Sequence, residues 1–192
     1  MRVAVVGKGA IGETLGRKWQ DAGHDVLFGV RSPEPSDPAQ TSVPQAIRHG
    51  AVVLLAVPGV AVTGIIEENA ANLAGKIVID ATNNLAGPKM SSVDQLLALA
   101  PSSRVFRAFN SLGWENFAEP EFAGGRADLF YCGPPDPEAT AVVERLIEEI
   151  GLRPIRVGDL DTVDLIDSVT RLWFALVRGG MGRHTAFKVL SD

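Results

Sequence analysis

The sequence holds one cysteine, Cys132, so no disulfide can close within the chain. It stands in an apolar, strand-like stretch and reads as a small buried thiol rather than a reactive one. The three histidines, His24, His49 and His184, fall at no metal-ligand spacing and give a zinc site no support. Basic residues form no cluster and the net charge is -5, which excludes a nucleic-acid groove as an expected partner surface. The longest run without charged residues or histidine, Gly50 to Ile66, spans 17 residues and is interrupted by Pro58-Gly59. That is too short and too broken to cross a membrane as a helix. No basic, apolar and small-residue cleavage pattern precedes the strand-forming residues that begin at Arg2. No signal peptide is therefore expected, and the cytoplasm is the default location.

What the sequence does contain is regular. At 192 residues it matches the prior for one domain, and 46% hydrophobic with 21% charged residues is an ordinary globular balance. Apolar, β-branched runs are expected as strands over Arg2–Val6, Asp25–Val30, Ala51–Val57, Lys76–Asp80, Arg104–Phe109, Asp128–Cys132 and Arg153–Val157. Several are apolar throughout, as strands buried on both faces are. Helical patterns lie between them, over Ile11–Ala22, Ala61–Leu73, Val93–Leu99 and Asp136–Ile150. This alternation predicts an α/β fold with a doubly wound, mostly parallel sheet, and a single domain over 1–192. A last helix is expected over about 161–178. In it Leu165, Ile166, Val169, Leu172, Trp173, Leu176 and Val177 form one broad apolar stripe, with Phe174 off it. Such a stripe packs on its own sheet, meets a partner subunit, or does both.

The segment Val5-Val6-Gly7-Lys8-Gly9-Ala10-Ile11-Gly12 sets a G-x-G-x-x-G pattern between the first strand and the first helix, the context that makes this spacing a dinucleotide signal of Rossmann type. Gly7 permits the tight turn, Gly9 admits the pyrophosphate to the backbone, and Gly12 lets helix and strand pack closely. Phosphates then meet the unpaired N–H groups of the helix start, next to Lys8, Ala10 and Ile11. The end of the second strand, Phe28-Gly29-Val30-Arg31-Ser32, has no carboxylate where an NAD site would hold the ribose hydroxyls. Arg31 can meet a 2′-phosphate instead, and Ser32 can add a hydroxyl, so NADP is the expected cofactor.

On these residues the chain resembles the NADP-dependent oxidoreductases of the coenzyme F-420 (deazaflavin) reductase family. The resemblance extends through Leu55-Ala56-Val57-Pro58, Gly75-Lys76-Ile77-Val78-Ile79-Asp80-Ala81-Thr82-Asn83 and Arg107-Ala108-Phe109-Asn110. It implies that Val57, Pro58 and Asn83 border the cofactor, that Asn110 lies near the nicotinamide and its acceptor, and that the protein is a homodimer. It also implies coenzyme F-420 as hydride acceptor. Asn84-Leu85-Ala86-Gly87 departs from the Asn-Pro more usual in that family. The loop Ser32 to Asp37 departs too, adding two acids and no further base.

The residues themselves show no acid–base set. No lysine falls between Lys89 and Lys188, and the only tyrosine, Tyr131, lies inside a strand. Carbonyl reduction calls for such a donor, whereas hydride transfer to a ring needs alignment and dryness. The expected partner is a small-molecule redox acceptor. An imine, pyrroline, flavin or ferric reductase and a non-catalytic NADP-binding sensor are the alternatives, and no catalytic residue is named.

Overall fold

The computed structural model describes residues 1–191. Its first strand, β1 (Arg2–Val6), explains much of the rest, because Val3, Ala4, Val5 and Val6 are all fully buried. Both faces of this strand are covered, and its side chains alternate between them. Val3 and Val5 pack with Leu15 and Trp19 of α1 (Ala10–Asp21), whereas Ala4 and Val6 pack with Ala46 and Ile47 of α2 (Val43–His49). Two hydrophobic cores thus sandwich the sheet, as a parallel sheet requires.

The chain continues through β2 (Asp25–Val30), β3 (Gln40–Ser42), β4 (Val52–Leu55), α3 (Val62–Leu73), β5 (Ile77–Asp80), α4 (Val93–Leu99) and β6 (Arg104–Arg107). It ends with α5 (Trp114–Ala118), β7 (Asp128–Cys132), α6 (Pro137–Glu149), β8 (Arg153–Gly158) and α7 (Val163–Leu176). All eight strands join one sheet in the order β3-β2-β1-β4-β5-β6-β7-β8. Among the described residues every pairing between these strands is parallel except β6–β7, where Arg107 stands opposite Cys132. Strand order reverses between β1 and β4, which opens a crevice at their carboxyl ends.

Local chemistry accounts for the ends of several elements. Asp136 accepts a hydrogen bond from the Ala139 N–H (3.0 Å) and caps α6, with Pro137 at its first position. At α2, Ser42 and Gln45 sit in capping-box spacing, and the Ser42 N–H donates to Gln45 Oε1 at 3.4 Å. The short elements β3, α2 and α5 were not among those expected, and β4 and β6 end two residues earlier than expected.

Helix α7 corrects the apolar stripe. Its buried face is made by Val163, Ile166, Asp167, Thr170 and Trp173, while Leu165 and Leu172 are 58% and 50% exposed. Two polar residues thus face inward and two leucines face out. The helix starts two residues later than expected, after a tight turn at Leu160–Thr162, and runs into a widened turn over Val177–Met181.

The C-terminal segment is clipped to the sheet by one carboxylate. Asp128, 1% exposed, pairs with Arg153 through Nε (2.6 Å) and Nη2 (2.8 Å), and accepts the Val189 N–H at 2.6 Å. Burial pushes its pKa up, but Arg153 and Val189 outweigh that and hold it below the usual carboxylate range. A group whose pKa is depressed by folding stabilises the fold above its unfolded pKa, and that contribution fades as pH falls through the folded pKa. Asp128→Asn is therefore expected to lower stability by about 1–3 kcal/mol, the magnitude for a buried hydrogen-bonded charge. Denaturant titration of both proteins should show that gap from pH 5 to 8 and show it closing below about pH 3.9.

Candidate functional site

The glycines of the first turn divide their work. Gly7 has φ +101°, and a Cβ there would lie 2.4 Å from the Ala56 carbonyl oxygen, so the turn is both left-handed and pressed against the end of β4. A Cβ on Gly12 would come within 2.1 Å of the Gly7 carbonyl oxygen. Nothing lies within 4 Å of a Cβ on Gly9, which faces open space. Gly9 is also the N-cap of α1, where no side chain caps the helix. The first-turn N–H groups are thereby left for an anion.

Two clefts meet at this turn. The larger, about 780 Å³, is lined by Gly7, Lys8, Gly9, Arg31, Ser32, Val57 and Pro58, all expected at the site, together with Gly29, Val30, Val43, Ala56, Val60, Ala61 and Ile65. The smaller, about 270 Å³, is lined by Gly9, Ala10, Ile11, Ala56, Val57, Ala81 and Asn83. They share Gly9, Ala56 and Val57, so together they form one trough over the ends of β1, β4 and β5. Gly12 is buried beneath it as packing. The apolar wall supplied by Val43, Val60 and Ile65 escaped the sequence reading, although the Ser42–Gln45 cap could have revealed α2.

Charges around the larger cleft are sorted. Lys8 is paired with Glu13 (3.2 Å) and Asp37 (3.5 Å), and Arg17 also reaches Asp37 (3.5 Å). Asp37 in turn accepts from Gln40 and from the Ala39 N–H, which with Lys8 keep its pKa below the usual carboxylate value. The acid of this loop is thus occupied. Arg31, by contrast, forms no ion pair or hydrogen bond among the described residues, and it stands exposed at the cleft rim.

The floor below Asn83 is a buried charge cluster. Arg107 is fully buried and reaches Asp80 Oδ2 at 3.2 Å and Asp167 Oδ1 at 2.7 Å. Its Nη1 also donates to the Thr82 carbonyl (2.5 Å), and its Nη2 donates to Asn83 Oδ1 (2.9 Å). Because a guanidinium only donates, this contact orients the Asn83 amide, oxygen inward. The Asn83 Nδ2 then donates to the Asn110 carbonyl at 2.8 Å.

Asn110 itself lines neither cleft, against the expectation that its amide meets an acceptor. It is 3% exposed, its Nδ2 donates to Thr170 Oγ1 at 2.8 Å, and its Oδ1 is buried without a protein partner. The reason lies one residue earlier. Phe109 has φ +60°, rare for a bulky residue, and is wedged edge-on between Trp19 and Phe117. That turn sends Asn110 under α7.

No Asp, Glu, His, Cys or Tyr lines either cleft among the described residues. Tyr131 is fully buried and hydrogen-bonded to Glu144, and burial together with that carboxylate raises its pKa. Cys132 is buried as expected, its thiol pushed up to about 11 chiefly by desolvation.

A family model described as NADP oxidoreductase, coenzyme F420-dependent, matches residues 2–84, the segment that builds the trough through Asn83. Over that segment the chain is similar to this family. Among solved structures, a candidate F420-dependent NADP-reductase from Arthrobacter sp. FB24 is 24% identical over 100% of both chains, with a TM-score of 0.87. A hypothetical protein from Sinorhizobium meliloti is 27% identical over 84% of this chain and 86% of its own, with a TM-score of 0.71. Pyrroline carboxylate reductase from Plasmodium falciparum, with NADP bound, is 13% identical over 95% and 71%, with a TM-score of 0.63. The first and third likenesses show the Rossmann-type fold. No helix among the described residues is long and apolar enough to cross a membrane.

The glycines give a paired prediction. Gly12→Ala is expected to destabilise the protein by about 1–3 kcal/mol through overpacking against Gly7. Gly9→Ala is expected to leave the melting temperature near that of the parent and weaken NADPH binding, since its Cβ enters the space left for the phosphates. Thermal melts with and without NADPH separate the two effects.

Proposed function

We propose that the trough binds NADP(H) and that the protein transfers hydride between it and a deazaflavin, coenzyme F-420, or a similar ring acceptor. The observation that carries this reading is the pairing of Arg31, unpaired at the rim among the described residues, with an Asn83 end of the trough that no titratable side chain lines. When bound, NADPH supplies a hydride, and the acceptor takes its remaining proton from solvent. The chain's own residues do the rest. The uncapped start of α1 and the open face of Gly9 receive the pyrophosphate, and Arg31 with Ser32 receives the 2′-phosphate. Val57, Pro58 and the apolar wall exclude water. Asn83, held by Arg107, presents a fixed amide at the far end.

Cofactor choice tests the first half. Arg31→Ala is expected to weaken NADPH by about 1.5–3 kcal/mol in calorimetric titration and to leave NADH nearly unchanged. Equal losses for both would assign Arg31 a structural role. Acceptor choice tests the second half. Absorbance assays with NADPH and oxidised deazaflavin should show turnover. Reduction of a cyclic imine, flavin or ferric chelate instead would move the protein to that class, and NADPH binding without any reduction would make it a sensor.

The partner proposed for α7 is a second copy of this chain. The resemblance implies a homodimer, and Leu165 and Leu172 supply an exposed apolar face for it. Sedimentation at micromolar concentration should give a dimer, and Leu165→Glu with Leu172→Glu should give a monomer; a monomeric parent protein overturns the assignment.

A further inference from the structure

A third cleft, about 310 Å³, lies where the loop after β5 meets α7 and has no part in the reading above. Its walls are Asn84, Leu85, Gly87 and Met90 on one side, and Arg171, Phe174 and Arg178 on the other. It adjoins the trough in sequence, because Asn83 lines the trough and Asn84 lines this cleft. Its loop wall is built rather than loose. The Asn84 N–H donates to the Met90 carbonyl (2.9 Å), and Asn84 Oδ1 accepts the Gly87 N–H (3.0 Å).

Its two arginines are uncompensated. Neither Arg171 nor Arg178 has a carboxylate within ion-pair distance among the described residues, although the chain carries 23 acidic against 18 basic residues. Arg178 spends one N–H on the Phe174 carbonyl at 3.2 Å, and the Arg171 side chain makes no hydrogen bond among the described residues. They reach the same cleft from α7 and from the widened turn that follows it, with Phe174 between them in sequence. Leu165 and Leu172 are about 100° or more from Arg171 around α7, so a subunit docked on the leucines leaves Arg171 to the cleft. Two guanidinium forks that share one cleft with an aromatic and a methionine suit an anionic group carried on an apolar or planar body.

We infer that this cleft holds the anionic side chain, phosphate or carboxylate, of the hydride acceptor whose ring lies at the Asn83 end of the trough. The assignment rests on the ring-acceptor reading above and narrows it to a negatively charged acceptor. Riboflavin and FMN test it, because they share one ring and differ by a phosphate. Their fluorescence quenching is titrated with protein saturated in NADP+. FMN is expected to bind at least tenfold more tightly than riboflavin, and more weakly as salt rises. In the double variant Arg171→Gln/Arg178→Gln, FMN affinity should fall to that of riboflavin, with NADPH affinity and melting temperature reporting that the fold is intact. Equal binding of the two flavins, or an FMN preference that survives in the double variant, overturns the arginine assignment and leaves the ring reading standing. Inorganic phosphate, titrated as the probe for a free anion, should displace FMN only far above the Kd of FMN; displacement below that Kd would mark a free-anion site and overturn the proposal. If neither flavin binds, the flavin-like reading of the ring fails, and this assignment falls with it.

Discussion

A guanidinium with no access to water holds three separate parts of this protein to one another. Arg107 is the last residue of β6, Asp80 the last of β5, and Asp167 sits on the inner face of α7. Taking these three charges out of water is expensive, and their attraction offsets the loss only if nearly every N–H and lone pair finds a partner. That condition is met on the arginine, whose Nε, Nη1 and Nη2 all donate, and on Asp80, which accepts from the Thr82 N–H, the Thr82 hydroxyl and the Ser92 N–H. Loss of one partner would strand a buried charge, at about 3–5 kcal/mol. The same cluster orients Asn83, so the end of the trough is only as ordered as the charges beneath it.

The trough therefore has a stiff end and an open end. At the Asn83 end the amide is anchored through both its oxygen and its nitrogen, to Arg107 and to the Asn110 carbonyl. At the Arg31 end the guanidinium and the helix start are left without side-chain partners among the described residues, while Asp37 nearby is occupied by Lys8, Arg17 and Gln40. Such a division suits a ligand that is captured by its phosphates and aligned by its ring. It also places selectivity at the loose end and geometry at the rigid one.

Much of this was legible in the sequence, and the exceptions share a cause. Strands buried on both faces announce themselves as apolar runs, and the glycine spacing and Arg31 are local signals read directly from the chain. β3, which is Gln-Thr-Ser, has no apolar residue to signal a strand, α5 is only five residues long, and α2 was missed although its Ser42–Gln45 cap was there to be read. That the Asn110 side chain turns beneath α7 while its carbonyl holds Asn83 was not legible, because Phe109 before it adopts a left-handed backbone and packs with aromatics far away in sequence. The stripe on α7 was set by hydrophobicity alone, yet Asp167 and Thr170 turn inward because Arg107 and Asn110 await them. Where tertiary partners decide a residue's direction, one sequence does not carry the information.

The margins of the sheet bear on how the chain behaves among its own copies. At one side β3 is three residues long, and at the other β8 contains Pro154 flanked by Arg153 and followed by Arg156. A short strand offers few free ladder groups, and a proline with nearby cations repels and interrupts an incoming one. Growth of the sheet by strand addition is thus discouraged at both margins. A crowded, partly folded population has no long, flat template to extend, and self-association is left to helical surfaces, where it can close into a finite assembly rather than propagate as a fibre.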